Sequence, residues 1–250
     1  MTAGLLLSVV LTAVVGLSIG LLGGGGAILL VPILVYVAGW GAGTAVAASL
    51  VVVGGTSLVS TVMHARHGRV LWGIGLGFGV SAMAGSFAGG MLANLIPARA
   101  LMIAFSLVML IAGIAMLRPR PDRGDATRRA RWWFIALLGI VIGFVSGLVG
   151  AGGGFLIVPA LALVAGLPMG LAVGTSLLII TLQSASGLIG HLLSVRLDWP
   201  AVLAMIAMAI LGSLGGAALS RRIGETVLRR CFGAFVVVIA VGTGAGQLVA

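Results

Sequence analysis

Residues 16–34 read GLSIGLLGGGGAILLVPIL, and residues 143–161 read GFVSGLVGAGGGFLIVPAL. A shift of 127 residues lays one on the other without a gap, so that Gly16, Gly20, Gly23, Gly25, Gly26 and Pro32 fall on Gly143, Gly147, Gly150, Gly152, Gly153 and Pro159. The same shift carries Ser49 onto Ser176, Ser57 onto Ser184, His64 onto His191, Arg69 onto Arg196 and Trp72 onto Trp199. Further on, Gly85, Ser86, Gly89, Ile96, Leu101 and Phe105 land on Gly212, Ser213, Gly216, Ile223, Leu228 and Phe232. A fixed period carried by this many positions marks a duplicated unit, and it constrains the fold before any helix is assigned. The first unit occupies residues 1–117 and the second 132–250. Between them RPRPDRGDATRRAR, residues 118–131, is the one stretch polar enough to be a solvated linker.

The solvent of these units follows from composition. Of 250 residues 61% are hydrophobic and only 7% charged, against roughly 25% charged in a soluble domain. This is a chain for a bilayer. A porin-type barrel alternates polar with apolar residues and carries aromatic girdles, which 42 glycines and a single Tyr do not supply. Helices are the remaining way to satisfy backbone groups in lipid. All 14 basic residues are Arg, and the acids are Asp122, Asp125, Asp198 and Glu225. A net charge of +10 points to nucleic acid in a soluble protein, but here the basic clusters are short, lack interleaved aromatics and lie between apolar spans. They read as orientation signals, and nucleic acid is excluded as a partner. No basic region precedes the first apolar stretch, so a cleaved leader is not expected. The lone Cys231 forms no intramolecular disulfide and is expected to be an inert thiol packed inside the bundle.

Each unit contains five apolar segments: 4–22, 27–38, 44–63, 71–93 and 98–117, then 132–149, 154–165, 171–193, 199–220 and 226–248. The second of each set is only about 12 residues, or about 18 Å of helix. It is set off by Gly23-Gly24-Gly25-Gly26 or by Gly150-Ala151-Gly152-Gly153-Gly154, and reads as half of a broken helix. Depending on whether the short segments cross, the chain has eight to ten transmembrane segments. Five crossings per unit make the repeats inverted; four make them parallel. With the linker inside and five crossings, Arg66, Arg69, the six linker arginines and Arg221, Arg222, Arg229 and Arg230 share the cytoplasmic side, and only Arg99 and Arg196 lie outside. That is twelve against two. Four crossings give nine against five, so the excess of positive charge on cytoplasmic loops favours inverted repeats with both termini outside.

Inside a bilayer an anion needs positive electrostatics without an unpaired cation, and helix N-termini supply it. A break followed by a new helix turns free N–H groups and the positive dipole end into the protein, and glycine lets a small ligand approach closely. Gly23, Gly24, Gly25 and Gly26, with Gly150, Ala151, Gly152, Gly153 and Gly154, are therefore the first binding candidates. Tight packing through small residues is the competing use of such glycines. The third segments add a polar stripe, Ser49, Thr56, Ser60 and His64, on one helical face. Ser176, Gln183, Gly187 and His191 occupy the equivalent places, with Thr175 beside Ser176. Ser49, Thr56, Thr175, Ser176 and Gln183 are the side-chain candidates for an oxyanion; bonding within and between helices is their competing role. His64 and His191, which titrate near neutral pH, are candidate gate or proton-relay residues. On the inverted arrangement they face opposite sides. No Asp or Glu lies within a span, which disfavours a buried carboxylate relay, and no cluster of ligands suggests a metal. Neither a cofactor nor an enzymatic activity is expected. Gly16-Leu17-Ser18-Ile19-Gly20 matches a nucleophile elbow, but it lies within a long apolar helix and its repeat has Val145 in place of Ser18.

The paired G-x-x-G-x-G-G…P stretches quoted above, together with GTSLLIITLQSASGLIGHL at residues 174–192, resemble the TauE/SafE membrane transporters, the sulfite exporter-like proteins. The likeness covers essentially the whole chain. It implies a multi-pass transporter of the cytoplasmic membrane, an exporter of small anions such as sulfite, sulfonates or related sulfur compounds. On that resemblance the broken-helix glycines and Ser49, Thr175, Ser176 and Gln183 form the site. The units differ there, with Ala48 for Thr175 and Thr56 for Gln183, so the site is asymmetric. A passive anion channel and a membrane scaffold that carries nothing are the alternatives. The partners are the small anion and the lipid bilayer, with a homo-oligomer left open.

Overall fold

In lipid an unpaired N–H or C=O costs several kcal/mol, so apolar segments close their own backbone bonds as helices. A computed structural model of the chain describes residues 3–93, 98–118, 132–149, 154–192, 197–220 and 222–249, and every regular element among them is helical. In chain order these are α1 (Ala3–Leu22), the half-helix α2 (Gly24–Val37), α3 (Ala42–Ala65), α4 (Trp72–Ala93) and α5 (Ala98–Leu117). The second set is α6 (Trp132–Val149), the half-helix α7 (Gly154–Pro159 continuing through Ala160–Val164), α8 (Met169–Leu192), α9 (Trp199–Ser220) and α10 (Glu225–Val249). None of the ten expected segments is off by more than three residues at either end. Among the described residues four stretches, Gly4–Leu22, Gly43–Ala65, Met169–Leu188 and Trp199–Ser220, are long and apolar enough to cross a membrane. The outer surface suits that solvent: Val10, Val80, Phe87 and Val238 are exposed, as side chains in contact with lipid would be. Trp132 and Trp133, also exposed, flank the linker where aromatic anchors belong. Cys231 is exposed as well, not packed inside the bundle as its place in an apolar segment suggested.

The first half-helix departs from the expectation of a glycine gap followed by a helix; the second gap, residues 150–153, lies outside the described residues. Of Gly23 to Gly26 only Gly23 leaves the helical path, at φ +75°, a conformation that favours glycine. Gly24–Leu29 already coils as a 3₁₀ turn. Pro32 and Pro159 have no N–H to give to the ladder, and the turns after them, Ile33–Val37 and Ala160–Val164, are widened to π-helix. Their closures are duplicates. The Ala38 and Ala165 N–H groups donate to the carbonyls of Ile33 and Ala160 at 3.2 and 3.0 Å, and Trp40 and Leu167 donate to Leu34 and Leu161, each at 3.0 Å. The turns reverse at Gly39 and Gly166, with φ +71° and +77°.

Long helices pair across the two units. α1 runs along α9, α4 along α6, α5 along α10 and α3 along α8. Glycines set the closest approaches. A Cβ placed on Gly16 would collide with the Ala209 carbonyl, on Gly20 with Ser213, on Gly212 with Ala13 and on Gly216 with Leu17. In α4 and α6 the equivalent collisions are Gly139 with Phe78 and, four residues on in both helices, Gly143 with Ala82; Gly85 meets Ile140 from the other side. The elbow-like Gly16-Leu17-Ser18-Ile19-Gly20 is thus a small-xxx-small packing face. Numbers rise together along these two interfaces, so their helices are parallel. In α3 and α8 they run oppositely: Gly174 abuts His64, Ser184 abuts Gly54 and Gly187 abuts Leu50. α5 and α10 are also antiparallel, with Gly113 against Val237 and Leu117 against Gly233.

Candidate functional site

The two half-helices begin against each other. A Cβ on Gly24 would collide with the carbonyl of Gly154, and one on Gly154 would lie 3.4 Å from Gly24 Cα. Gly24, Gly25 and Gly26 are buried, as is Gly154. The first N–H groups of any helix lack intrahelical acceptors, and each start carries about half a positive charge. Two such ends brought head to head repel unless something negative sits with them. Around them the glycines play different parts. Gly23 faces Ser176 Oγ, Gly26 packs on Ser18 and the Val15 carbonyl, and Gly25 faces the rings of Phe232 and Phe235 on α10.

One face of α8 lines this junction. Ser176, Ile180 and Gln183 follow at intervals of four and three, so they share a face. Ser176 meets Gly23, and the Ile180 side chain reaches both Gly24 and Gly154. Gln183 is one turn further along. Both of its amide atoms, Oε1 and Nε2, are buried with no hydrogen-bond partner, and a buried polar group left unmet costs about 1–3 kcal/mol. On α3 the equivalent face carries Ser49, Val53, Thr56 and Ser60. Ser49 Oγ donates to the Val46 carbonyl at 2.8 Å, Thr56 Oγ1 to Val52 at 2.7 Å and Ser176 Oγ to Val173 at 2.7 Å. These three hydroxyls, expected to donate to an anion, spend their protons on their own helix, as Ser and Thr commonly do. Ser57 and Ser60, by contrast, are fully buried with no partner for Oγ.

Thr175 is not on the junction face. It is fully buried, and its Oγ1 accepts the Leu71 N–H at 3.1 Å, which ties the loop before α4 to α8. His64 is buried at the end of α3 against Gly174, and its carbonyl accepts the N–H groups of His67 and Arg69 at 3.1 and 3.0 Å. His191 is in the last turn of α8; its side chain, like Gly150, Ala151, Gly152 and Gly153, is outside the described residues. Since α3 and α8 are antiparallel, Gly174 beside His64 is 17 residues, or about 26 Å of helix, from position 191. The two histidines are at opposite ends of the helix pair. Ile180 is the neighbour of both breaks that the polar stripe did not reveal. The interval from Ser176 to Gln183 passes through it, but an apolar residue in a polar stripe carries no chemical signal of its own. Among the described residues no group of His, Cys, Asp or Glu is placed to hold a metal ion.

Known proteins resemble this chain along nearly its whole length. A probable membrane transporter protein of Xylella fastidiosa (strain 9a5c) is 34% identical over 237 residues, 91% of this chain and 90% of the relative. YunE of Bacillus subtilis, also named a probable membrane transporter protein, is 31% identical over 86% of this chain and 90% of its own length. YdhB of the same organism, similarly named, is 26% identical over 90% and 94%. No solved structure matches the chain significantly. The model of the family described as "Sulfite exporter TauE/SafE" matches residues 8–243. With apolar helices, a broken-helix junction and this match across both units, the chain belongs to the TauE/SafE family of membrane transporters.

Proposed function

We propose that the protein exports a small sulfur oxyanion, of the sulfite or sulfonate type, across the cytoplasmic membrane by alternating access. The observation that carries this is the head-to-head meeting of two half-helix starts at Gly24 and Gly154, with the unpartnered carboxamide of Gln183 one turn along α8 from the Ile180 that touches both. The anion would sit with the N–H groups of α2 and α7, and Gln183 Nε2 would donate to one of its oxygens. Discontinuous helices at equivalent places in a duplicated transporter are where such a site is expected. Ile180 fills the space between the breaks. That supports an occluded intermediate with a moving gate, not an open pore.

The units, 1–117 and 132–250, are in this reading inverted repeats of five crossings each, with linker 118–131 in the cytoplasm. Antiparallel packing of the corresponding helices α3 and α8, and of α5 and α10, supports the inversion, because parallel repeats would run these pairs in the same direction. Single cysteines at Gly124, in a chain carrying Cys231→Ala, should resist an impermeant thiol reagent in intact cells and react once the cells are opened. Labelling from outside would reverse the orientation.

Transport is tested with purified protein in liposomes loaded with sodium sulfite. Gln183→Leu should lower sulfite flux about tenfold or more with little change in thermal midpoint, since removing both amide atoms leaves no buried group unmet. Flux should saturate, and unlabelled sulfite on the far side should accelerate it. Wild-type flux from the leucine variant would remove Gln183 from the site, and linear, unaccelerated flux would make the protein a channel.

A further inference from the structure

Arg69 lines a cavity of about 290 Å³ at the end of the molecule where α3 and α9 finish and α8 begins; Gly170, Leu171 and Ser220 form other walls. Several constraints fix the Arg69 backbone. Gly68 turns the chain at φ +66°, the Arg69 N–H donates to the His64 carbonyl at 3.0 Å, and the Arg69 carbonyl is packed so tightly on Gly174 that a Cβ there would collide with it. Two residues later Leu71 is held by Thr175 Oγ1 at 3.1 Å. The side chain then lies along the first turn of α8, with Cδ, Nε and Cζ at 3.9, 3.9 and 4.0 Å from a Cβ placed on Gly170. This fixes where the charge sits. Asp198, the one carboxylate among the described side chains, caps the opposite end of α9 through the Ala201 N–H at 3.4 Å, 22 residues from Ser220 or about 33 Å of helix.

We propose that this cavity is a separate docking site for a small oxyanion, bound by the Arg69 guanidinium at the mouth of the pathway before it reaches the junction of the half-helices. The proposal rests on the transport reading above. A guanidinium offers paired N–H donors that match two oxygens of a sulfite or sulfate, and a cation at a cleft bordered by low-dielectric walls concentrates anions there. From Gly170 in the cavity wall to Ser176 beside Gly23 is six residues of α8, or about 9 Å. An anion released from Arg69 thus has about two helical turns to travel. Arg66, on the exposed part of the same loop, carries equal charge but does not line the cavity.

Two variants test the site. Arg69→Gln removes the cation. Gly170→Asp leaves it and supplies a built-in anion within reach; position 170 has room for a side chain, and an acid in the first turn of a helix is favourable, so this variant should fold with an unchanged or higher thermal midpoint. In sulfite-loaded liposomes both should raise KM at least fivefold with maximal rate within twofold of wild type, while Arg66→Gln stays within twofold in KM. A second readout needs no transport: sodium sulfite, compared with sodium chloride at equal ionic strength, should raise the thermal midpoint of the solubilised full-length protein. Both variants should need at least fivefold more sulfite for the same rise. Normal KM and normal sulfite dependence in both variants would overturn the Arg69 site while leaving the transport reading intact. A sulfite-dependent, Arg69-dependent midpoint without any flux in wild type would sink the transport reading alone. No sulfite effect on the wild-type midpoint would also overturn the Arg69 site.

Discussion

A single methyl group at position 24 should cut the proposed sulfite flux at least 100-fold, equivalent to about 2.7 kcal/mol in the transport barrier. The Gly24→Ala methyl would meet the Gly154 carbonyl and the Cδ1 of Ile180. Of these only the isoleucine tip can yield; the carbonyl belongs to the start of α7. The half-helices would have to separate, and the anion would lose the convergence of two sets of N–H groups. Gly25→Ala is the internal comparison. Its methyl faces ring atoms of Phe232 and Phe235 at 3.1 and 3.4 Å, which can swing by a few tenths of an ångström, so flux should stay within about tenfold of wild type. Both are measured as flux per monodisperse protein. Equal flux in the two variants would mean that the contact between the half-helix starts is not what the substrate uses.

The largest effects on stability belong to the interfaces between the long helices. Gly16→Ala and Gly143→Ala should each destabilise the protein by about 2–3 kcal/mol, the upper part of the typical overpacking cost of about 1–3 kcal/mol, because the clash is with backbone. The added carbons would come within 2.7 Å of Ala209 Cα and 2.6 Å of Ala82 Cα, and backbone cannot step aside as a side chain can. Because the two sites are in different interfaces, α1 with α9 and α4 with α6, the double variant should lose close to the sum. Gly73→Ala and Gly215→Ala are the controls. Nothing is within 4 Å of a Cβ at either position, so they should cost nothing and can gain some helix propensity. Thermal midpoints of the solubilised protein read all of these. An undisturbed Gly16→Ala would show that α1 and α9 do not pack as closely as described.

These contrasts mark what can be read along one chain and what cannot. Helix bounds were legible because lipid permits little besides helices, and the doubled Gly and Pro pattern located both half-helices. The register of Ser176 and Gln183 on one face was also local information. Partner identity was not. Nothing near Gly16 in sequence says that its small face meets Ala209, and a run such as Gly23 to Gly26 looks equally suited to ligand and to backbone. In the fold it serves both: Gly24 meets the other half-helix, whereas Gly26 packs on α1. The hydroxyls illustrate the same limit. Ser49, Thr56 and Ser176 lie on the expected face, yet their protons turn back to their own carbonyls, a choice made by χ1 and invisible in residue type. Thr175 looked like a member of the site because it adjoins Ser176; one residue is about 100° of helical rotation, enough to give it to Leu71 instead.

The crossed pairing of α1 with α9, α4 with α6 and α5 with α10 bears on how the protein is made. When the ribosome has delivered only the first unit, the chief neighbours of these three helices have not been synthesised. Their glycine-lined faces must wait in the membrane against lipid or insertion machinery, and lateral assembly can finish only after the second unit enters. Neither half is then a self-sufficient folding unit. Severing the linker should leave two fragments that depend on each other for survival in the cell, and an ancestor of one unit's length would have needed a second copy of itself to close the same surfaces.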